Sequence, residues 1–124
     1  MRVIAHLDMD CFYAQVETKR LKVDPSAPLV VQQWKNVIAV NYPARKFGIK
    51  RMMTAAECKR LCPHVICAQV ELINHEYEIA SDEHSPSSKK KKTVQKVSLE
   101  RYRLASEEIM SIISTMNPRC ERVG

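Results

Sequence analysis

HLDMDCFYAQVE, residues 6–17, closes an apolar run with two carboxylates, Asp8 and Asp10, and follows them directly with two aromatics, Phe12 and Tyr13. Residues 2–9 alternate and lean β-branched or apolar, which predicts a strand ending at the acid pair. Asp10 then stands as an N-cap for a short helix running to about Lys22, and Asp24-Pro25 stops it. Such a strand-to-helix passage sets carboxylates at a strand's end, where hard oxygen donors suit Mg²⁺, an ion that takes one or two protein carboxylates with phosphates and water. The plainer reading of Asp-x-Asp is a helix cap and a surface acid.

Beyond this stretch, LVVQQ (29–33) and VIAVN (37–41) read as two strands joined by a tight Trp34-Lys35-Asn36 connection, with Asn36 suited to a left-handed backbone. In YPARKFG (42–48), Pro43 suits a first helical position and Gly48 the residue just past a helix end. Thr54 and Glu57 form a capping box that predicts a helix over 55–62, ahead of Pro63, and VICAQV (65–70) reads as a strand. Residues 74–97 mix acids, SDEHSPSS and the Lys89–Lys92 run with few large apolar side chains, which reads as a solvated insertion or loop. The lysine run is a solvated tract on the plain reading, with nucleic-acid contact as the alternative. From Ser98, a good N-cap, the residues Leu99, Tyr102, Ile109, Ile113 and Met116 fall on one helix face until Asn117-Pro118, a stripe that reads as core.

With 124 residues the chain has the size of one domain. Residues 1–71 carry 11 basic and 6 acidic side chains, residues 72–124 carry 9 and 8, so the basic excess lies in the first part. That imbalance favours a polyanionic partner such as nucleic acid or a phosphate-bearing ligand over a membrane, because no basic amphipathic helix stands out. MRVIAHLDMD is too short and too acidic for a signal peptide, and no segment approaches the ~20 apolar residues of a membrane span, so the chain reads as intracellular with reduced thiols.

Tyr42, Arg45 and Lys46 lie at the start of the short Pro-containing helix, where unpaired amides favour phosphate and a guanidinium binds it bidentately. A rival site is CKRLCPHVIC, in which Cys58, Cys62, His64 and Cys67 are soft ligands for a zinc staple. Its spacing lacks a Cys-x-x-Cys knuckle, so buried reduced cysteines are the better reading. His6 reads as a packed or hydrogen-bonded histidine, His75 and His84 fall in polar stretches, and Glu107 and Glu108 point about 100° apart, toward solvent.

DMDCFYAQVE (8–17), VVQ (30–32), IAVNYPARKFGIKR (38–51), RLCP (60–63) and VSLERYRLAS (97–106) together resemble the N-terminal part of Y-family translesion DNA polymerases, most closely the eta type. The resemblance spares only about 72–96. It implies an α/β fold, in the α+β sense: a partial palm sheet with helices plus the small fingers domain of a right-hand polymerase. Residues 1–12 would be the first palm strand, 13–71 the fingers, 72–97 a palm connection carrying the charged insertion, and 98–124 a palm helix and the start of the next strand. It also implies nucleotidyl transfer with two Mg²⁺ ions, using primer-template DNA and deoxynucleoside triphosphates, in the nucleus, without a membrane partner, and with a sliding clamp contacted only through more C-terminal regions.

Carried over by position, Asp8 is the catalytic metal carboxylate, joined by the Met9 backbone carbonyl. Cys11 and Phe12 present amides to the triphosphate, Tyr13 is the aromatic gate against a ribose 2′-hydroxyl, and Tyr42 and Arg45 bind the triphosphate. Arg51 contacts the incoming nucleotide, Gln32 the templating base, and Asp10 supports the loop. The link between Gln32 and Ile38 lacks the Gly-rich insertion of many eta-type sequences and resembles the shorter fungal form. CERV (120–123) resembles the lead-in to the family's Ser-Ile/Val-Asp-Glu motif, but the sequence stops at Gly124 and the expected second and third catalytic carboxylates are absent from it. The expectation is therefore an N-terminal fragment, inactive alone, with exposed strand edges and unburied helix faces. The alternative is a small basic nucleic-acid-binding or regulatory module.

Overall fold

The computed structural model describes residues 1–79 and 90–123. His84, Lys89 and the SDEHSPSS stretch lie outside the described residues.

The centre is a three-stranded sheet. β1 (Leu29–Gln33) and β2 (Asn36–Val40) form the expected antiparallel hairpin, and β3 (Ile66–Gln69) joins the other edge of β1 in parallel, giving the order β2-β1-β3. LVVQQ reads as a continuous apolar run because β1 is buried on both faces. Val30 packs with Val37, Val40, Ile49, Cys58 and Cys62, whereas Leu29 and Val31 pack with Ala14, Ala68, Val70 and Tyr102. The hairpin turns on two residues, and the left-handed one is Trp34 (φ 56°), not Asn36, which opens β2 opposite Gln33. The register slips between Val31 and Gln32, so Ile38 is the extra residue of a bulge.

Helices α1 (Phe12–Arg20) and α4 (Glu100–Met116) are matched to one side of the sheet, and α2 (Tyr42–Arg45) and α3 (Ala55–Leu61) to the other. Asn41 caps α2, its Oδ1 accepting from the Ala44 amide at 3.0 Å, so Pro43 occupies the second helical position and not the first. The same buried oxygen accepts from the Leu29 amide at 3.0 Å and the Asn41 side-chain amide donates to the Ala27 carbonyl at 2.8 Å, tying the hairpin to the loop before it. Gly48 has φ 82°, as its place past α2 requires. Thr54 and Glu57 make both halves of the capping box of α3.

Five expectations are corrected. Residues 2–9 form no strand: no neighbouring strand supplies ladder partners, and Val3, Ile4 and Leu7 are exposed. His6 is exposed with them and is not packed. The cap of α1 is Cys11, in the left-handed region (φ 36°, ψ 51°) and without a side-chain capping bond, so Asp10 is not the N-cap. Residues 72–79 and 90–97 are not loop: β4 (Leu72–Ile79) and β5 (Lys90–Val97) pair antiparallel, Leu72 opposite Val97 and Ile79 opposite Lys90. Polar composition hid them, because strands of a two-stranded ribbon need ladder bonds but little apolar burial. Finally, Leu99 and not Ser98 is the N-cap of α4, and only Tyr102 of the expected stripe is buried, while Met116 is 80 % exposed. Leu99, Ile109 and Ile113 are half-buried, whereas Leu104 and Ile112 beside the stripe are exposed. Among the described residues no helix is long and apolar enough to cross a membrane.

Candidate functional site

The entrance to α1 faces α2. The chain reaches α1 through exposed Asp8, Met9 and Asp10, and Cys11 turns it by its positive φ. The turn is held from within the helix: Gln15 donates its side-chain amide to the Asp10 carbonyl at 2.5 Å and its backbone amide to the Cys11 carbonyl at 3.1 Å. The amides that open α1 and lack intrahelical partners therefore come directly after the acid pair.

Across from this turn, Asn41 sets the start of α2 and so places Tyr42 and Arg45. The Arg45 guanidinium lies over the Tyr42 ring, 4.4 Å from its centroid, and its Nε donates to the Val40 carbonyl at 3.1 Å. One face of the cation is thus oriented and the rest of its fork is free for an anion. Arg45 is close enough to be felt by Cys11: burial pushes that thiol up, the Arg45 charge pulls it down, and Asp10 adds to the rise. Between the two helix starts an open cleft is lined by Asp10, Cys11, Gln15, Thr18, Lys19, Lys22, Asn41 and Tyr42. Two lysines and the α1 N-terminus give it a positive character suited to phosphate.

Tyr13 points the other way along α1. Its ring stacks on that of Tyr102, with centroids 3.9 Å apart and planes 8° from parallel. Beneath them, Glu17 is fully buried and accepts from the Tyr102 hydroxyl at 2.7 Å, Arg20 Nε at 2.6 Å and Arg101 Nη1 at 3.3 Å. Arg101 also approaches Glu71 at 3.8 Å. Burial first, then the bond to Glu17 and its charge, push the Tyr102 phenol far above its ordinary value.

The structure therefore brings Cys11, Tyr42 and Arg45 together and seats Tyr13 on a second aromatic. Phe12 and Met9 instead line a groove between α1 and α4. Gln32 and Arg51 do not line the cleft: the Gln32 side chain donates to the Trp34 carbonyl at 2.7 Å, and Arg51 is exposed in a turn. Sequence reading missed Glu17, Arg20, Arg101, Tyr102 and Asn41 as site supports. One signal was present, since Tyr13 and Glu17 stand four apart on one helix face.

Among the described residues no three His, Cys, Asp or Glu side chains converge as a metal site. The zinc staple fails on this ground: Cys58 and Cys62 are buried with free thiols, and Cys62 Sγ meets the His64 ring, at 3.6 and 3.7 Å from its nitrogens. Asp8 with the Met9 carbonyl offers Mg²⁺ the right donor type but an incomplete set. Glu107 and Glu108 are exposed, as expected.

A family model described as the impB/mucB/samB family matches residues 7–124. The chain is 42 % identical over 118 residues to the N-acetyltransferase eso1 of Schizosaccharomyces pombe, covering 95 % of the chain and 13 % of that protein. It is 37 % identical over 128 residues to DNA polymerase eta of Arabidopsis thaliana, covering 99 % and 16 %, and 35 % identical over 128 residues to DNA polymerase eta of Saccharomyces cerevisiae, covering 98 % and 20 %. The chain thus spans a fifth or less of the length of these relatives.

Proposed function

We propose, from the premise that the chain belongs to the impB/mucB/samB family, that it is the palm-and-fingers portion of an eta-like translesion DNA polymerase. The protein containing it inserts deoxynucleotides opposite damaged template bases, with primer-template DNA and deoxynucleoside triphosphates as substrates. Two relatives named DNA polymerase eta are eukaryotic, and chromosomal DNA places such an enzyme in the nucleus.

The observation that carries this reading is that Cys11 and Tyr42 line one basic cleft beside the acid-ended entrance to α1, with the Arg45 guanidinium held over the Tyr42 ring. In this reading the first amides of α1, at Cys11 and Phe12, and the Arg45 fork bind the triphosphate oxygens, and Tyr42 holds that fork in place. Tyr13 limits the space at the sugar, and its stack on Tyr102 stops the ring from yielding to a 2′-hydroxyl. Gln32 and Arg51, outside the cleft, are assigned to the templating base and the incoming nucleotide. Residues 1–12 and 72–124 belong to the palm and 13–71 to the fingers.

Two Mg²⁺ ions, when bound, stabilise the charge that develops on the attacking and leaving oxygens. Asp8 and the Met9 carbonyl supply part of their ligand set, and Asp10 supports the loop. Because the donors in this chain are incomplete, residues 1–124 alone catalyse no synthesis. The test is primer extension with Mg²⁺ in the intact protein that carries these residues. Asp8→Asn abolishes synthesis, and Tyr13→Ala raises ribonucleotide use relative to deoxyribonucleotide use. An Asp8→Asn protein that extends primers at the wild-type rate refutes the reading.

A further inference from the structure

The register of the β4–β5 ribbon sorts its charges by face. Residues directly opposite in an antiparallel pair share a face, and successive residues alternate. Val97 packs against the Tyr102 side of the core, so its face, with Asn74, Glu76, Thr93 and Gln95, is the one that starts against the body. The other face carries Ile73 opposite Lys96, His75 opposite Val94, Tyr77 opposite Lys92 and Ile79 opposite Lys90. By register that face holds Lys90, Lys92, Lys96 and His75 and, among the described residues, no carboxylate, while Glu76 and Glu78 lie on the other side. Lys92 and Lys96 are both exposed, as are His75 and Ile73.

We propose that this outward ribbon face is a DNA-contacting surface that binds the phosphate backbone of a duplex through Lys92 and Lys96. Four residues of strand set the two lysines about 13 Å apart, and a two-stranded ribbon is of a width that a major groove of about 12 Å admits. Duplex is favoured over single strand by this match of ribbon to groove. The choice of DNA among polyanions rests on the polymerase reading. The face is separate from the cleft at Cys11 and Tyr42: neither lysine lines it.

The experiment measures binding of residues 1–124 to a fluorescently labelled DNA duplex by anisotropy across a salt series. Each phosphate contact contributes about 0.9 to the slope of log K against log salt, so Lys92→Gln/Lys96→Gln lowers the slope by about 1.8 and weakens binding about tenfold or more near 0.1 M salt. Lys92→Arg/Lys96→Arg, which keeps the charge, restores both. The charge-matched Lys59→Gln/Arg60→Gln variant, on the exposed side of α3, leaves the slope unchanged. Circular dichroism of each variant matches the wild type.

The proposal is overturned if the α3 variant lowers the slope as much as the ribbon variant, which means net charge alone binds. It is equally overturned if the wild-type chain binds no duplex at low salt, or if the lysines serve only binding to phosphatidylserine vesicles. Primer extension by the intact protein reports on the polymerase reading separately. Loss of synthesis in Asp8→Asn alongside a silent ribbon variant removes this surface and leaves that reading standing.

Discussion

Replacing Glu17 by alanine tests whether the buried carboxylate under the aromatic stack holds α1 to α4. Glu17 is 0 % exposed, and its two oxygens take three donors: the Tyr102 hydroxyl at 2.7 Å, Arg20 Nε at 2.6 Å and Arg101 Nη1 at 3.3 Å. Removing the carboxylate leaves the buried Tyr102 hydroxyl without its acceptor, which costs about 1–3 kcal/mol. The guanidiniums are 40 % and 28 % exposed and regain water, so they add less than the full penalty of a broken buried pair. The net expectation for Glu17→Ala is a loss of about 3 kcal/mol. With a urea m-value of about 1.5 kcal/mol/M for a domain of this size, the unfolding midpoint falls by about 2 M. Tyr102→Phe in the Glu17→Ala background removes the stranded hydroxyl, so the double variant is about 1–2 kcal/mol more stable than the sum of the single changes. Near-ultraviolet circular dichroism reports the Tyr13–Tyr102 stack independently and loses its signal in Glu17→Ala. A loss under 1 kcal/mol, or strictly additive changes, refutes the network as a link between the helices.

Tyr102 carries a pH signature. Its phenol is raised above the ordinary value by burial and by Glu17, so its contribution to stability is complete below about pH 10 and is lost as pH climbs beyond that. Melting temperatures between pH 9 and 11.5 fall more steeply for wild type than for Tyr102→Phe; parallel curves count against this. Asn41→Ala strips the Leu29 and Ala44 amides and the Ala27 carbonyl of their buried partner and is expected to cost about 3 kcal/mol. Hydrogen exchange locates that damage at Leu29 and Ala44, and uniform loss of protection across the chain contradicts it.

The hairpin, α2, α3 and β3 were legible because each is specified by neighbours in sequence. The capping box of α3 uses residues three apart, and Gly48 fills a position that positive φ demands. Elements that failed depend on partners elsewhere. The alternation of residues 2–9 states a preference for strand, but preference without a ladder leaves Val3 and Ile4 in water. The α4 stripe states a face, and only where α1 and the sheet reach it, at Tyr102, does that face become core. Conversely, β4 and β5 form through each other despite a composition that argues for loop.

The same division runs through the site. Candidates for phosphate were nameable from sequence, since an Arg and a helix start announce themselves locally. Their support was not. Tyr13 is 89 residues from the ring that holds it, and Glu17 meets its hydroxyl partner across 85 residues. In the proposed reading, the closing Glu of DMDCFYAQVE therefore matters as much to the site as its opening Asp. Asp8 stands in the open, where incoming groups can reach it, while Glu17 is buried where it fixes the aromatic pair. A motif of ten residues thus spans two environments: one end stands in water, and the other lies buried beneath the Tyr13–Tyr102 stack.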